Sequence, residues 1–242
     1  MRRIYQDSRG RYLHLRRRER AHGKVDPDEC AALARGWART LLREMGISLE
    51  VAGHPTLQEP GLFVCNHVGY LDVLSFLATT ECCFLAKRAI SFAPIVGPGA
   101  GWLGTVWVER EKKSSRQAAR EAMVRAVAEG RRVVVFPEGT TSLEGQRWRR
   151  GAFEVARDHG IPVQAAAFSS SHPHRTLWGE ESFATNLWSL LGERAPIQVR
   201  LEFLAPSRID DPTRDAERLE QEVRQRVQRA GSAQRTSTRT AG

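Results

Sequence analysis

Apolar residues recur along this chain in two periods, and the switches between them outline its elements. Between Pro27 and about Met45, Leu33, Trp37, Leu41 and Leu42 recur at helical spacing. Asp26 stands at the N-cap, Pro27 in the first turn and Gly46 just past the last, so this segment reads as a helix. Ile47-Ser48-Leu49-Glu50-Val51 alternates as a strand does, and Leu62 to Cys65 is an unbroken apolar run suited to a strand covered on both faces. A helix from Asp72 to Thr80 follows, then strands at Phe84–Ala86 and Gly104–Val108. Ser114 or Ser115 caps a helix closed by Gly130, and Val133–Phe136 is the next strand. Gly151–His159 reads as a helix, and Ile161–Phe168 and Gln198–Phe203 as strands. Asp211-Pro212 opens a last helix with Ala216, Leu219, Val223 and Val227 on one side. Strands alternating with helices predict an α/β fold: a single domain whose central, largely parallel sheet is flanked by helices.

Composition narrows this further. With 242 residues, 41% of them hydrophobic, the chain can bury one sizeable core. Residues 27–230 are expected to form the domain, with the motif core at 60–170, between a poorly packed basic N-terminal arm (1–26) and a disordered tail (231–242). The formal charge of +9 is confined to the flanks: residues 1–24 hold nine basic and two acidic residues, and Arg235 and Arg239 lie in the tail. Residues 25–230 carry 26 of each sign and are neutral. Basic flanks on a neutral body suit an anionic membrane surface; a nucleic-acid-binding protein is the alternative from another class, but no nucleic-acid motif accompanies the charge.

Cys30, Cys65, Cys82 and Cys83 have neither Cys-x-x-Cys nor paired-histidine spacing, so they read as reduced, buried thiols of a cytoplasmic protein and no metal site is expected. His172 and His174 lack a third ligand and read as a solvated loop. Ala89 to Val108 is uncharged for twenty residues, but Pro94, Pro98 and four glycines interrupt it. It is expected as an irregular apolar segment rather than a membrane span, and no apolar stretch of signal-peptide type follows the N-terminal arginines.

Candidate chemistry sits where predicted strands end, since ligands of parallel sheets gather beyond the carboxyl ends of the strands. Asn66-His67-Val68-Gly69-Tyr70-Leu71-Asp72 follows one strand, Glu109-Arg110 another, and Phe136-Pro137-Glu138-Gly139-Thr140-Thr141-Ser142 a third. Residues five apart lie about 140° apart on a helix. His67 and Asp72 therefore meet only if His67 occupies the turn before the helix and Asp72 its first turn, with Gly69 supplying freedom to that turn. The carboxylate then fixes the imidazole tautomer, and the histidine can take a proton from a hydroxyl. No Gly-x-Ser-x-Gly elbow is present, which favours the substrate's own hydroxyl as nucleophile over a serine of the chain.

The His67-x-x-x-x-Asp72 block, Gly104-Thr105-Val106-Trp107-Val108-Glu109-Arg110, Phe136-Pro137-Glu138-Gly139-Thr140 and Ile161-Pro162-Val163 resemble, in that order, the four blocks of the glycerolipid acyltransferases, the lysophosphatidate acyltransferases and their relatives. Glu109 stands where relatives often have Asp, and Ala165 replaces the second proline of the fourth block. The resemblance spans about residues 37–205. It implies an acyltransferase-like fold and transfer of a fatty acyl group from acyl-ACP or acyl-CoA to the free hydroxyl of a lysophospholipid. The first expected acceptor is 1-acyl-sn-glycerol-3-phosphate, giving phosphatidic acid; lyso-ornithine lipid is the alternative within the class, and a catalytically silent lipid-binding protein lies outside it. By the same resemblance His67 and Asp72 are the catalytic pair, while Asn66, Lys87, Arg110, Glu138, Gly139, Thr140 and Arg149 are candidates for binding substrate. The guanidinium of Arg110 suits a phosphate, and Glu138 suits either a glycerol hydroxyl or the orientation of Arg110. No cofactor is expected beyond the acyl-ACP or acyl-CoA co-substrate. The expected location is the cytoplasmic face of the membrane, held peripherally through the basic arm and apolar surface near Trp102 and Trp107.

Overall fold

In the computed structural model, which describes residues 2–57, 59–92, 96–109, 113–179 and 196–239, the apolar runs become the strands β1 (Ile47–Ala52), β2 (Leu62–Cys65), β3 (Cys83–Lys87), β4 (Val106–Val108), β5 (Val133–Val135), β6 (Val163–Ser170) and β7 (Ile197–Ser207). They form one sheet in the order β1-β7-β6-β2-β5-β3-β4. All pairings are parallel except β6 with β7. Val64 of β2 lies in register between Val135 and Ala165, so β2 occupies the interior of the sheet, as its unbroken apolar sequence requires. The family fold expected from the sequence, α/β with a mostly parallel sheet, is the fold observed.

The helices are α1 (Arg2–His22), α2 (Pro27–Glu44), α3 (Tyr70–Thr79), α4 (Val96–Trp102), α5 (Lys113–Ala128), α6 (Gly151–Asp158), the single turn α7 (Pro173–Thr176) and α8 (Pro212–Arg239). Asp26 caps α2, accepting from the amides of Asp28 at 2.9 Å and Glu29 at 3.1 Å. One face of the sheet is covered by α2 and α3, where Leu41, Leu71 and Leu74 pack on Phe63, Phe168 and Leu201. The other is covered by α5, α6 and α8, where Met123, Phe153 and Leu219 meet Leu62, Val64 and Val133. Burying each such side chain stabilises the fold by about 1.5–3 kcal/mol.

Away from the candidate site, Gln164 ties three segments together from a wholly buried position. Its Oε1 accepts from the amides of Thr56 (3.0 Å) and Leu57 (3.3 Å), and its Nε2 donates to the carbonyls of His54 (2.9 Å) and Leu204 (2.7 Å). The register of β6 with β7 shifts between Gln164 and Ala166.

Both flanks differ from expectation. The arm is helical and packed: Leu15 is buried, Trp37 Nε1 donates to Ser8 Oγ at 2.8 Å, and Arg11 Nη1 donates to the Leu33 carbonyl at 3.2 Å. Ser8, Arg11, Tyr12 and Leu15 share a short helical stripe that the surrounding arginines obscure. At the other end α8 runs to Arg239 rather than giving way to a tail at 231. Residues 240–242 lie outside the described residues.

The uncharged stretch before β4 resolves into a 3-10 turn (Arg88–Phe92) and α4. The strand after it starts at Val106 rather than Gly104, because Gly104 at φ +77° turns the chain out of α4. Among the described residues no helix is long and apolar enough to cross a membrane. All four cysteines are free and buried. Burial raises their thiols, to about 11 for Cys30 and Cys83 and well above the ordinary thiol value for Cys65 and Cys82, which leaves them poor nucleophiles.

Candidate active site

The chain leaves β2 at Cys65 and enters α3 at Tyr70, so His67 lies in the intervening turn and Asp72 in the first helical turn. That placement satisfies the five-residue constraint, and His67 Nδ1 lies 3.0 Å from Asp72 Oδ2. Asp72 is wholly buried, and its Oδ2 also accepts from the amides of Val68 (2.8 Å) and Gly69 (3.0 Å), while Oδ1 accepts from Val73 (2.7 Å). A carboxylate surrounded by donors only accepts, so Nδ1 carries the proton and Nε2 presents a lone pair. The His67 side chain is 16% exposed, and Nε2 has no hydrogen-bond partner among the described residues. Such an imidazole can take up a proton at Nε2 while the adjacent carboxylate supports the resulting charge.

Gly69 matters for a different reason than expected. Its φ of 177° is ordinary extended backbone, but a Cβ there would stand 2.6 Å from the Thr176 carbonyl oxygen. The segment around α7 crosses directly over the turn, with the Trp178 amide donating to the Val68 carbonyl at 3.0 Å. Thr141 Oγ1 holds the same segment by donating to the Trp178 carbonyl at 2.6 Å.

Glu138 reaches the same turn from beyond β5. Its Oε1 accepts from the His67 amide at 3.4 Å and its Oε2 from the Gln146 amide at 3.3 Å. Burial pushes its carboxyl up from 4.5 to about 7, against the opposing pull of those two amides. Both carboxylate oxygens thus engage protein backbone, which makes Glu138 a brace between two loops. The Ser142 amide donates to the His67 carbonyl at 2.9 Å, and the Phe136 ring stacks on the imidazole with centroids 4.0 Å apart and planes 14° apart.

The remaining candidates meet other partners or face solvent. The Asn66 side chain is engaged by Phe168, accepting from its amide at 2.8 Å and donating to its carbonyl at 2.9 Å; it ties β2 to β6 instead of facing a ligand. Lys87 is exposed at the end of β3, and Thr140 is exposed beyond Gly139. Gly139 has φ +76°, and a Cβ there would meet the Arg149 guanidinium carbon at 2.9 Å, so the close approach it permits is that of Arg149. Arg110 lies outside the described residues.

Two cavities flank this edge. An apolar one of about 160 Å³ lies among α1, α2, α3 and α4, with Leu33, Trp37, Tyr70, Leu74 and Leu103 in its walls. The other, of about 460 Å³, lies between α5 and α6 and includes Phe136, Gly139, Arg116, Arg120 and Arg149. The sequence reading missed Phe136 as the stacking partner, and it missed Arg116 and Arg120. The signal for those two was their four-residue spacing beside Ala119 and Met123 on one face of a helix.

Comparison with known proteins gives concordant results. The family model described as Acyltransferase matches residues 48–169. A lyso-ornithine lipid O-acyltransferase of Pseudomonas aeruginosa is 30% identical over 86% of this chain and 83% of its own length. A 1-acyl-sn-glycerol-3-phosphate acyltransferase of Neisseria meningitidis is 27% identical over 69% of this chain and 68% of its own. The crystal structure of the 1-acyl-sn-glycerophosphate acyltransferase PlsC from Thermotoga maritima shares the fold, with a TM-score of 0.64 at 17% identity over 84% of this chain and 80% of that one.

Proposed function

The chain belongs to the acyltransferase family, and from that premise we propose that it moves a fatty acyl group from an acyl thioester, acyl-ACP or acyl-CoA, to the free hydroxyl of a lysophospholipid. The observation that carries this reading is the His67–Asp72 contact of 3.0 Å, made by a histidine whose Nε2 has no hydrogen-bond partner among the described residues. The acceptor's hydroxyl oxygen attacks the thioester carbonyl carbon while its proton passes to Nε2. The C–S bond then breaks, and the departing thiolate takes that proton from the imidazolium. Asp72 holds the ring and offsets its transient charge, Glu138 braces the turn, and the apolar cavity accommodates hydrocarbon. The steps call for no resident cofactor. Lys87, Thr140 and Arg110 are proposed to meet the acceptor's headgroup.

The first acceptor proposed is 1-acyl-sn-glycerol-3-phosphate, giving phosphatidic acid. Lyso-ornithine lipid is the second reading, favoured by the likeness to the Pseudomonas aeruginosa protein over 86% of the chain. Turnover of each lysolipid with each thioester donor, for wild type beside His67→Ala, tests both. The variant should lose about 10²–10⁴-fold in kcat; near-wild-type turnover by it would refute the assignment.

Membrane attachment is proposed to be peripheral, on the cytoplasmic face. Trp102 is engaged internally, its Nε1 donating to Glu19 Oε1 at 3.0 Å and its ring lying 5.7 Å from Tyr12. Among the described residues the exposed large apolar side chains are Tyr5, Leu13, Val51 and Phe92, the first two alongside the arginines of α1. Flotation with anionic vesicles should recover the protein at low salt and less of it at high salt; failure at low salt would remove the proposal.

A further inference from the structure

The cavity between α5 and α6 opens at the carboxyl ends of β3, β4 and β5, with Leu85, Val108 and Met123 among its apolar walls. Three guanidinium groups reach it. Arg116 and Arg120 stand one turn apart on α5, and Arg149 lies over Gly139 just before α6. Arg120 is paired with Glu154. Among the described residues Arg116 and Arg149 have no acidic partner and Glu154 is the one carboxylate lining the cavity, so the described lining carries +2. Guanidinium groups gathered at one cavity raise its positive potential, and they suit phosphate.

The ligand is narrowed by where the cavity lies. Hydrocarbon has its place on the opposite face, in the apolar cavity bordered by α1 to α4, the face that also carries α1 with its arginines. Phe136 lines the cationic cavity and stacks on His67 at 4.0 Å, so that cavity lies one ring away from the imidazole, and the apolar cavity reaches Tyr70, three residues beyond His67 where α3 begins. A molecule with a long acyl chain, a thioester and a phosphate further on matches this order of apolar space, imidazole and arginines.

We infer that the cavity between α5 and α6 holds the phosphorylated pantetheine arm of the acyl donor, its phosphate between Arg116 and Arg149. The inference rests on the acyl-transfer reading above. Coenzyme A and the prosthetic group of acyl carrier protein share this chemistry, and the apolar walls receive the arm between phosphate and sulfur.

The test uses the full chain and compares Arg116→Gln, Arg149→Gln and Glu154→Gln with wild type. Titration calorimetry with free coenzyme A, and separately with holo-acyl carrier protein, reads binding without turnover. Each arginine variant should weaken one of these carriers roughly tenfold or more, the expected loss for a charge-assisted bond, while lysophosphatidate affinity holds. Glu154→Gln, which releases Arg120, should tighten binding. The carrier affected identifies the donor. In kinetics, the kcat/KM ratio of the phosphorylated donor to a phosphate-free S-acyl pantetheine should fall by the same factor. An unchanged ratio, or a loss confined to lysophosphatidate affinity, overturns the inference and in the second case gives the cavity to the acceptor. Arginine-dependent binding of coenzyme A by a wild type with no acyl transfer would instead leave the pocket standing and remove the function reading.

Discussion

Asp72→Asn separates the two tasks that the structure gives to one buried carboxylate. The substitution keeps shape and burial but removes the charge beside His67 Nδ1, now 3.0 Å away. If the asparagine oxygen replaces Oδ2, it still accepts from the His67 ring and from the amides of Val68 and Gly69. Its NH2 then faces the Val73 amide, which donates to Oδ1 at 2.7 Å in the wild type. Two donors face to face leave a buried amide unsatisfied, at a cost of about 1–3 kcal/mol. For a domain of this size that corresponds to about 2–4 °C in Tm per kcal/mol. The opposite rotamer turns the NH2 toward three donors and is worse.

The catalytic loss is larger. The geometry survives while the imidazolium loses its counter-charge, so kcat should fall by about 10²–10⁴-fold, or about 3–5 kcal/mol of transition-state stabilisation. Asp72 is wholly enclosed, so neither KM should move more than about threefold. Steady-state kinetics with both substrates, beside thermal unfolding, checks all three quantities. If kcat stays within about threefold while Tm falls as expected, Asp72 anchors the turn and does nothing for the reaction.

Two further outcomes follow from buried polar groups. The Glu138 carboxyl, raised by burial to about 7, holds its proton in the folded state over a range where the unfolded chain has released it. Its contribution to stability is therefore full below about 4.5 and lost as pH rises through about 7, up to about 3 kcal/mol less any relief from solvent. Denaturant titrations at pH 5 and pH 8 should show this decline in wild type and a smaller one in Glu138→Gln; equal slopes would contradict it. Gln164→Leu strips the partners from the buried Leu57 amide and the Leu204 carbonyl, which should lower stability by about 2–4 kcal/mol. Because Gln164 sits at the end of β6 remote from His67, KM should be unchanged, and a large KM effect would show coupling along that strand.

The order of elements was legible because a buried parallel strand has little freedom in composition: Leu62 to Cys65 and Val133 to Val135 are apolar throughout, and both lie inside the sheet. The five-residue spacing likewise dictated that His67 precede the helix carrying Asp72, as it does. What escaped was packing between segments distant in sequence. Gly69 looks like a hinge in its own turn, whereas the Thr176 carbonyl, 107 positions on, is what forbids a side chain there. Asn66 sits in a catalytic block yet bonds to Phe168, and no local pattern foretells that partner. The arm misled for the opposite reason, since nine basic residues in 24 drew attention from one short stripe that packs.

Four contacts fix His67 before any substrate arrives. Asp72 takes Nδ1, Glu138 the backbone amide, the Ser142 amide the carbonyl, and Phe136 the ring face. Three of these act on the backbone or on one ring nitrogen and leave the torsion about the ring partly free; the flat face of Phe136 limits that motion. A preorganised base needs no rearrangement at the moment of reaction, so the stack should register in kcat and not in binding. Phe136→Leu keeps the apolar volume and removes the parallel surface. A stacked pair contributes about 0.5–1.5 kcal/mol beyond its burial, equivalent to a fall in kcat of about 2- to 12-fold. Both KM values should hold, because the leucine still walls the cavity that Phe136 lines. An unchanged kcat would mean that Asp72 and the backbone contacts already hold the imidazole in its productive orientation, with Phe136 serving only as packing.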